Sequence, residues 1–320
     1  MGVVSVREPQ DIRTVAVLGS GMVGFSWAVV FARHGRTVHL YNRASSSLAS
    51  AKDRVHGALE FLRSEGVMDA PAVRQALARV RTFDDLAAAV AGAQYVQEAL
   101  PEDLELKQRF FAKVAGLTGP DVIIGSSCSG LRRSDIVRDV AHHPERCLVA
   151  HPANPPHLIP FVEIAGDGAS EAAKEAALRL MEAVGQKPVR CREVYGYVLN
   201  RLQLALIEQA IHLVREGICD VAAVERALTE GLGLRWAFQG PYGVEELNSA
   251  HLGEGLRKYR TYMLEGFRNL GIVEDFDDEF VESAVAAFRP LMEGRDHDEY
   301  LAWRDRMVLR ARMLKDEDAG

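Results

Sequence analysis

The chain has 320 residues, 48% of them hydrophobic and 26% charged, with a formal net charge of −7 from 38 Lys and Arg against 45 Asp and Glu. That length exceeds what a single core usually supports, so two domains are expected. The acidic balance argues against nucleic acid or an anionic membrane as the main partner, because phosphate contacts need clustered cations.

From Thr14 onward, short β-branched runs alternate with helical stretches, the pattern of a parallel sheet wrapped by helices. Strands are expected at 14–18, 37–41, 79–83, 94–99, 121–126, 147–150, 162–165 and 188–191. Helices are expected from a glycine turn through Arg33, and over 44–65, 103–116 and 170–184. After Tyr195 the β-runs stop, and amphipathic helical periods follow at 198–215, 220–230, 252–271 and 277–292. The Arg-rich stretch 304–312, interleaved with Met307, Val308 and Leu309, reads as a further helix with a solvated face. The change of pattern divides the chain into an α/β domain over 1–194 and an all-helical domain over 195–320.

Gly19-Ser20-Gly21-Met22-Val23-Gly24 fits G-x-G-x-x-G. The string alone is weak, but here it follows a strand and opens a helix, which gives it meaning. Gly19 permits the tight turn, Gly21 lets a pyrophosphate approach the backbone, and Gly24 lets helix and strand pack closely. Met22 and Val23 head the helix, whose free N–H groups and dipole favour phosphate. The expected fold is therefore a Rossmann-type doubly wound sheet that binds a nicotinamide dinucleotide, followed by the helical domain. At the end of the second strand stand Asn42 and Arg43, with Ser45, Ser46 and Ser47 following. A neutral residue, a guanidinium and hydroxyls suit a 2′-phosphate and so slightly favour NADP. The alternative is that Arg43 stacks on adenine and Asn42 bonds a 2′-hydroxyl.

His151-Pro152-Ala153-Asn154-Pro155-Pro156 ends a predicted strand, the place where α/β sheets hold ligands. Glu163 lies twelve residues on, after a Pro-rich turn that can bring its strand back alongside. Alcohol oxidation needs a base for the hydroxyl proton, and an imidazole oriented by a carboxylate is suited to that near neutral pH.

Together these residues resemble the 3-hydroxyacyl-CoA dehydrogenase family, in its lambda-crystallin or L-gulonate 3-dehydrogenase branch. The likeness also runs through the stretch from Gln97 to Lys107, Ser126-Ser127-Cys128-Ser129, the stretch from Gly196 to Gln203, and the stretch from Gly231 to Phe238 with Gly240-Pro241. It implies His151 as general acid/base, Glu163 as its orienting carboxylate, and Ser129 and Asn200 as donors to the reacting oxygen or the imidazole. It further implies Asn154 steadying the site, Glu98 near the nicotinamide end of the cofactor, NAD as the usual dinucleotide, and a homodimer built by the helical domain. Ser129 could instead cap a helix over 131–140, and Asn200 could be an ordinary helix-start residue. Arg235 could hold a substrate carboxylate, or cap a helix or pair with a surface acid. The branch usually has Thr where Cys128 stands, a change expected to affect packing only.

The expected activity is hydride transfer between NAD(P) and the 3-hydroxyl or 3-keto carbon of a hydroxy acid, sugar acid or acyl thioester. The alternatives are an NADPH-dependent reductase of a polyketide or other secondary-metabolite ketone, and a non-enzymatic crystallin-like or dinucleotide-sensing protein. The four scattered cysteines, Cys128, Cys147, Cys191 and Cys219, read as free thiols. With no apolar leader and no long apolar run, a cytoplasmic protein without a membrane partner is expected. His142-His143 lacks ligand spacing, and no metal is expected.

Overall fold

A computed structural model describes residues 8–318. They form two compact units, one up to Arg201 and one from Leu202 onward.

The first unit is built on an eight-stranded sheet: β1 Thr14–Leu18, β2 Thr37–Tyr41, β3 Val80–Phe83, β4 Tyr95–Glu98, β5 Ile123–Ser126, β6 Cys147–Pro152, β7 Phe161–Ala165 and β8 Lys187–Cys191. Their spatial order is β3-β2-β1-β4-β5-β6-β7-β8. The chain moves outward from β1 in one direction and then returns to pair β4 on its other side, so the topological switch point lies between β1 and β4. Adjacent strands are parallel except β6 and β7, which run antiparallel with His151 opposite Glu163. β7 and β8 are again parallel.

The helices of this unit are α1 Met22–Arg33, α2 Ser45–Ser64, α3 Ala70–Arg79, α4 Leu86–Val90, α5 Leu104–Leu117, α6 Arg133–Ile136 and α7 Glu171–Ala183. Four start at a side chain that accepts from an otherwise orphaned N–H: Asp69 for α3, Asp85 for α4, Asp103 for α5 and Ser170 for α7. The sheet is buried because helices cover both faces. Val15, Val17, Leu18, Val38, Leu40, Val96, Leu148 and Val162 are all fully enclosed. On one face Trp27 and Phe31 of α1 stack at 5.4 Å, and Phe31 meets Tyr95 of β4 at 6.1 Å.

Helix α8, Leu199–Arg215, leads into the second unit. There the described residues form helices only, among them Pro241–Leu247, Leu252–Lys258, Arg260–Asn269, Asp278–Phe288 and His297–Asp318. The helix expected over 252–271 is broken at Tyr259 into two. The segment expected as a helix over 220–230 is an α-helix, Val221–Arg226, continued by a π-helix, Ala227–Leu232. No helix among the described residues is long and apolar enough to cross a membrane.

Candidate active site

Gly19 follows β1 with φ of +115°, and a Cβ there would lie 2.3 Å from the carbonyl oxygen of Ala99, just past β4. Only glycine serves at that crossing of the switch point. A Cβ on Gly24 would lie 1.9 Å from the Gly19 carbonyl oxygen, so the third glycine lets α1 seat on the turn. Gly21 differs: nothing lies within 4 Å of its Cβ position. It caps α1 without a side-chain acceptor, and Met22 beside it is 59% exposed. An open glycine backed by unpartnered helix N–H groups fits a dinucleotide pyrophosphate. Arg54 of α2 braces this loop, donating from Nη2 to the Ser20 carbonyl at 2.7 Å with its guanidinium over the Phe25 ring.

Asn42 is anchored at both ends of its amide. Nδ2 donates to Ser20 Oγ at 2.7 Å, and Oδ1 accepts from the Ala44 N–H at 2.9 Å. Arg43 is exposed and has no ion-pair partner among the described residues. The Ser45 hydroxyl donates to Asp84 at 3.3 Å and is thereby drawn toward β3.

Glu98 ends β4 and is held by three internal hydrogen bonds. Its carboxylate is fully buried, with Oε1 accepting from Lys107 Nζ at 2.6 Å and from the Leu100 N–H, and Oε2 from the Ser126 hydroxyl. These bonds tie β4, α5 and β5 together through one carboxylate. The neighbouring acid Glu102 holds the loop after β5. Its Oε1 accepts from the backbone N–H groups of Ser129, Gly130 and Leu131 at 2.9, 2.7 and 3.3 Å. Sequence reasoning passed over Glu102, because a carboxylate that fills a nest of backbone donors has no spacing signature.

His151 on β6 and Glu163 on β7 meet across the one antiparallel pair. His151 Nδ1 lies 2.7 Å from Glu163 Oε2, with side chains 3% and 0% exposed. Glu163 Oε1 accepts from the Val198 and Leu199 N–H groups at 2.7 and 2.9 Å. The carboxylate therefore also caps the head of α8. The chain reaches that position through Gly196 and Tyr197, both left-handed at φ of +74° and +49°. A bulky residue in that conformation is strained unless its surroundings fix it. Tyr197 is fully buried, donates to the Leu131 carbonyl at 2.6 Å, and places its ring 5.8 Å from that of His151. Its clamping contacts span too much chain to be read from the sequence.

Ser129 lies in the loop after β5, not at a helix start. The helix expected over 131–140 shrinks to α6, whose N-cap is Arg132 without a side-chain bond. Glu102 takes up the local N–H groups instead. Asn200 is the second residue of α8 and donates from Nδ2 to the Ser129 carbonyl at 3.2 Å, so the structure brings these two together. Burial pushes the Cys128 thiol up to about 12, keeping it neutral beside Ser129. Asn154 is exposed in the loop between β6 and β7. Arg235 belongs to the second unit, exposed on the short helix Gly233–Trp236. No group of three or more His, Cys, Asp or Glu able to hold a metal ion occurs among the described residues.

Residues 14–194 match the model of the 3-hydroxyacyl-CoA dehydrogenase NAD binding domain, and residues 196–267 match that of the 3-hydroxyacyl-CoA dehydrogenase C-terminal domain. The chain belongs to the 3-hydroxyacyl-CoA dehydrogenase family. It is 35% identical to the human lambda-crystallin homolog over 95% of this chain and 96% of that protein. Its identity to L-carnitine dehydrogenase of Pseudomonas aeruginosa is 38%, over 76% of this chain and 75% of that one. Among solved structures it resembles 5-formyl-3-hydroxy-2-methylpyridine 4-carboxylic acid 5-dehydrogenase, an NAD+-dependent dismutase. The TM-score is 0.80 at 26% identity, covering 95% of this chain and 98% of that one. This family member is thus an oxidoreductase that uses NAD(P) and acts on a hydroxyl-bearing carbon.

Proposed function

We propose that the enzyme transfers hydride between NAD(P) and the 3-hydroxyl or 3-keto carbon of a hydroxy acid, sugar acid or acyl thioester, with His151 exchanging the hydroxyl proton. The observation that carries this reading is the buried His151–Glu163 pair, whose carboxylate is itself fixed by the head of α8. When bound, the nicotinamide supplies the hydride acceptor or donor. Nδ1–H of His151 donates to the ionised Glu163, so Nε2 is the nitrogen that takes the substrate proton on oxidation and returns it on reduction. Glu163 stabilises the imidazolium formed in between and holds the tautomer. Ser129 and Asn200 supply neutral donors to the substrate oxygen as charge develops on it. Asn154 steadies the loop beyond His151, and the Arg235 guanidinium holds a substrate carboxylate.

In this reading the first unit carries the dinucleotide, and NADP is used at least as well as NAD. Support comes from Arg43, exposed and unpaired among the described residues, beside a neutral Asn42. The second unit supplies substrate contacts and the surface of a homodimer. The four free thiols support a reducing compartment such as the cytoplasm.

A screen of hydroxy acids, sugar acids and acyl thioesters with NAD and NADP, followed by nicotinamide absorbance, tests the activity. Oxidation of at least one 3-hydroxy compound is expected. Turnover confined to compounds without a 3-hydroxyl would reject the substrate class.

A further inference from the structure

Gln97 is fully buried on β4, in the middle of the sheet, where a polar side chain needs partners for each of its groups. Its neighbours on the face it shares with Tyr95 supply them. The Tyr95 hydroxyl donates to Gln97 Oε1 at 2.7 Å. Gln97 Nε2 donates to the Ser127 hydroxyl at 2.7 Å and to the Ala150 carbonyl at 3.2 Å. Ser127 Oγ accepts a further bond from Trp27 Nε1 at 3.1 Å. The sheet is hollowed to admit this network. On the adjacent strand β5, a Cβ at Gly125 would stand 2.4 Å from the Tyr95 hydroxyl and 3.2 Å from Gln97 Oε1.

The two acceptors of the Gln97 amide are not arbitrary points. Ala150 directly precedes His151, and Ser127 stands two residues before Ser129. A single planar group therefore spans the strand that carries the base and the loop that carries the substrate-facing hydroxyl. Leucine or valine would pack in a β-strand interior, but neither could join the Ala150 carbonyl to the Ser127 hydroxyl. An amide does so because it offers two N–H groups in a fixed fork and one acceptor that Tyr95 locks against flipping.

We propose that Gln97 is a positioning residue for catalysis, setting the separation of His151 and Ser129 through its paired bonds to Ala150 and Ser127. The proposal rests on the reading of His151 as the proton-exchanging group. Small displacements of reacting groups cost rate steeply, about 10²-fold for 1 Å. Cofactor binding depends on the glycine turn and β2, which Gln97 does not touch.

The test compares Gln97→Met with the parent in the full-length protein, measuring kcat, KM, dinucleotide Kd and Tm, and repeats kcat in a His151→Ala background. Gln97→Met is expected to lower kcat by roughly 10- to 100-fold, leave the dinucleotide Kd within a few-fold, and cost little more once His151 is gone. A kcat within about twofold of the parent, or a loss fully additive with His151→Ala, overturns the proposal. If Gln97→Met does not fold, Tyr95→Phe tests the same link. It removes only the hydroxyl that locks the amide, and should lower kcat several-fold at unchanged Kd; no loss overturns the proposal. His151→Ala alone separates the two claims. If it retains full kcat, the reading of the site fails, whereas a large loss beside an indifferent Gln97→Met sinks only the positioning role.

Discussion

Asn42 occupies the carboxyl end of β2 with both halves of its amide engaged and adds no charge there. In the proposed NADP reading, Arg43 beside it meets the 2′-phosphate. A hydrogen bond to a charged group contributes about 1.5–3 kcal/mol, roughly 10- to 150-fold in affinity. Arg43→Ala should weaken NADPH binding on that scale and leave NADH nearly unchanged. Asn42→Asp should reverse the preference. The Asp variant fits without rearrangement, because its carboxylate still accepts from Ala44 N–H, and the Ser20 hydroxyl can turn to donate. Fluorescence titration of each reduced dinucleotide against the parent and both variants checks this. Equal losses for NADPH and NADH in Arg43→Ala would mean that Arg43 only stacks on adenine.

The proposed catalytic pair is a property of elements: β6 and β7 bring the two side chains together, and the first turn of α8 holds the carboxylate. Glu163→Gln keeps the volume and an acceptor for the Val198 and Leu199 N–H groups, so Tm should change little. Facing His151, however, the new amide N–H meets a nitrogen that should itself donate. The imidazole is driven to the wrong tautomer, and kcat should fall about 10²–10⁴-fold in both directions. Glu163→Ala removes the cap as well and should add about 0.5–2 kcal/mol of destabilisation. A Glu163→Gln enzyme with parental kcat would break the link between pairing and turnover.

Elements also show what could be read from the chain. β1 and β2 match their expected limits to the residue, because a short β-branched run, continuous in β1 and alternating in β2, bounded by turn residues has few other readings. The pairing of His151 with Glu163 followed from twelve residues of spacing and a Pro-rich turn. Helices α3 and α4 went unread: they are short, and α3 buries only Val73 and Ala76. Their Asp69 and Asp85 caps were the available signal. Glu98 and Glu102 were beyond reach of spacing arguments. Two acids four residues apart differ only in what the fold presents to them, a buried lysine for one and a nest of backbone N–H groups for the other.

For the whole molecule, the second unit poses a physical problem for a lone chain. Helix α8 has no buried residue, and Leu202, Phe267, Tyr262 and Ile272 are 58%, 64%, 77% and 81% exposed. Apolar burial stabilises by about 25 cal/mol per Å², so the proposed homodimer would gain by covering this surface. The protein should elute with twice the 35.2 kDa mass of one chain, and its Tm should rise with protein concentration. A monomer by light scattering, with a Tm independent of concentration, would contradict the homodimer.

Proton exchange at His151 is the central step of the proposed function. Its most direct test is His151→Ala, with dinucleotide Kd and kcat measured on one preparation. The expected result is an unchanged Kd and a kcat lowered about 10²–10⁴-fold. Parental turnover by the variant would contradict it.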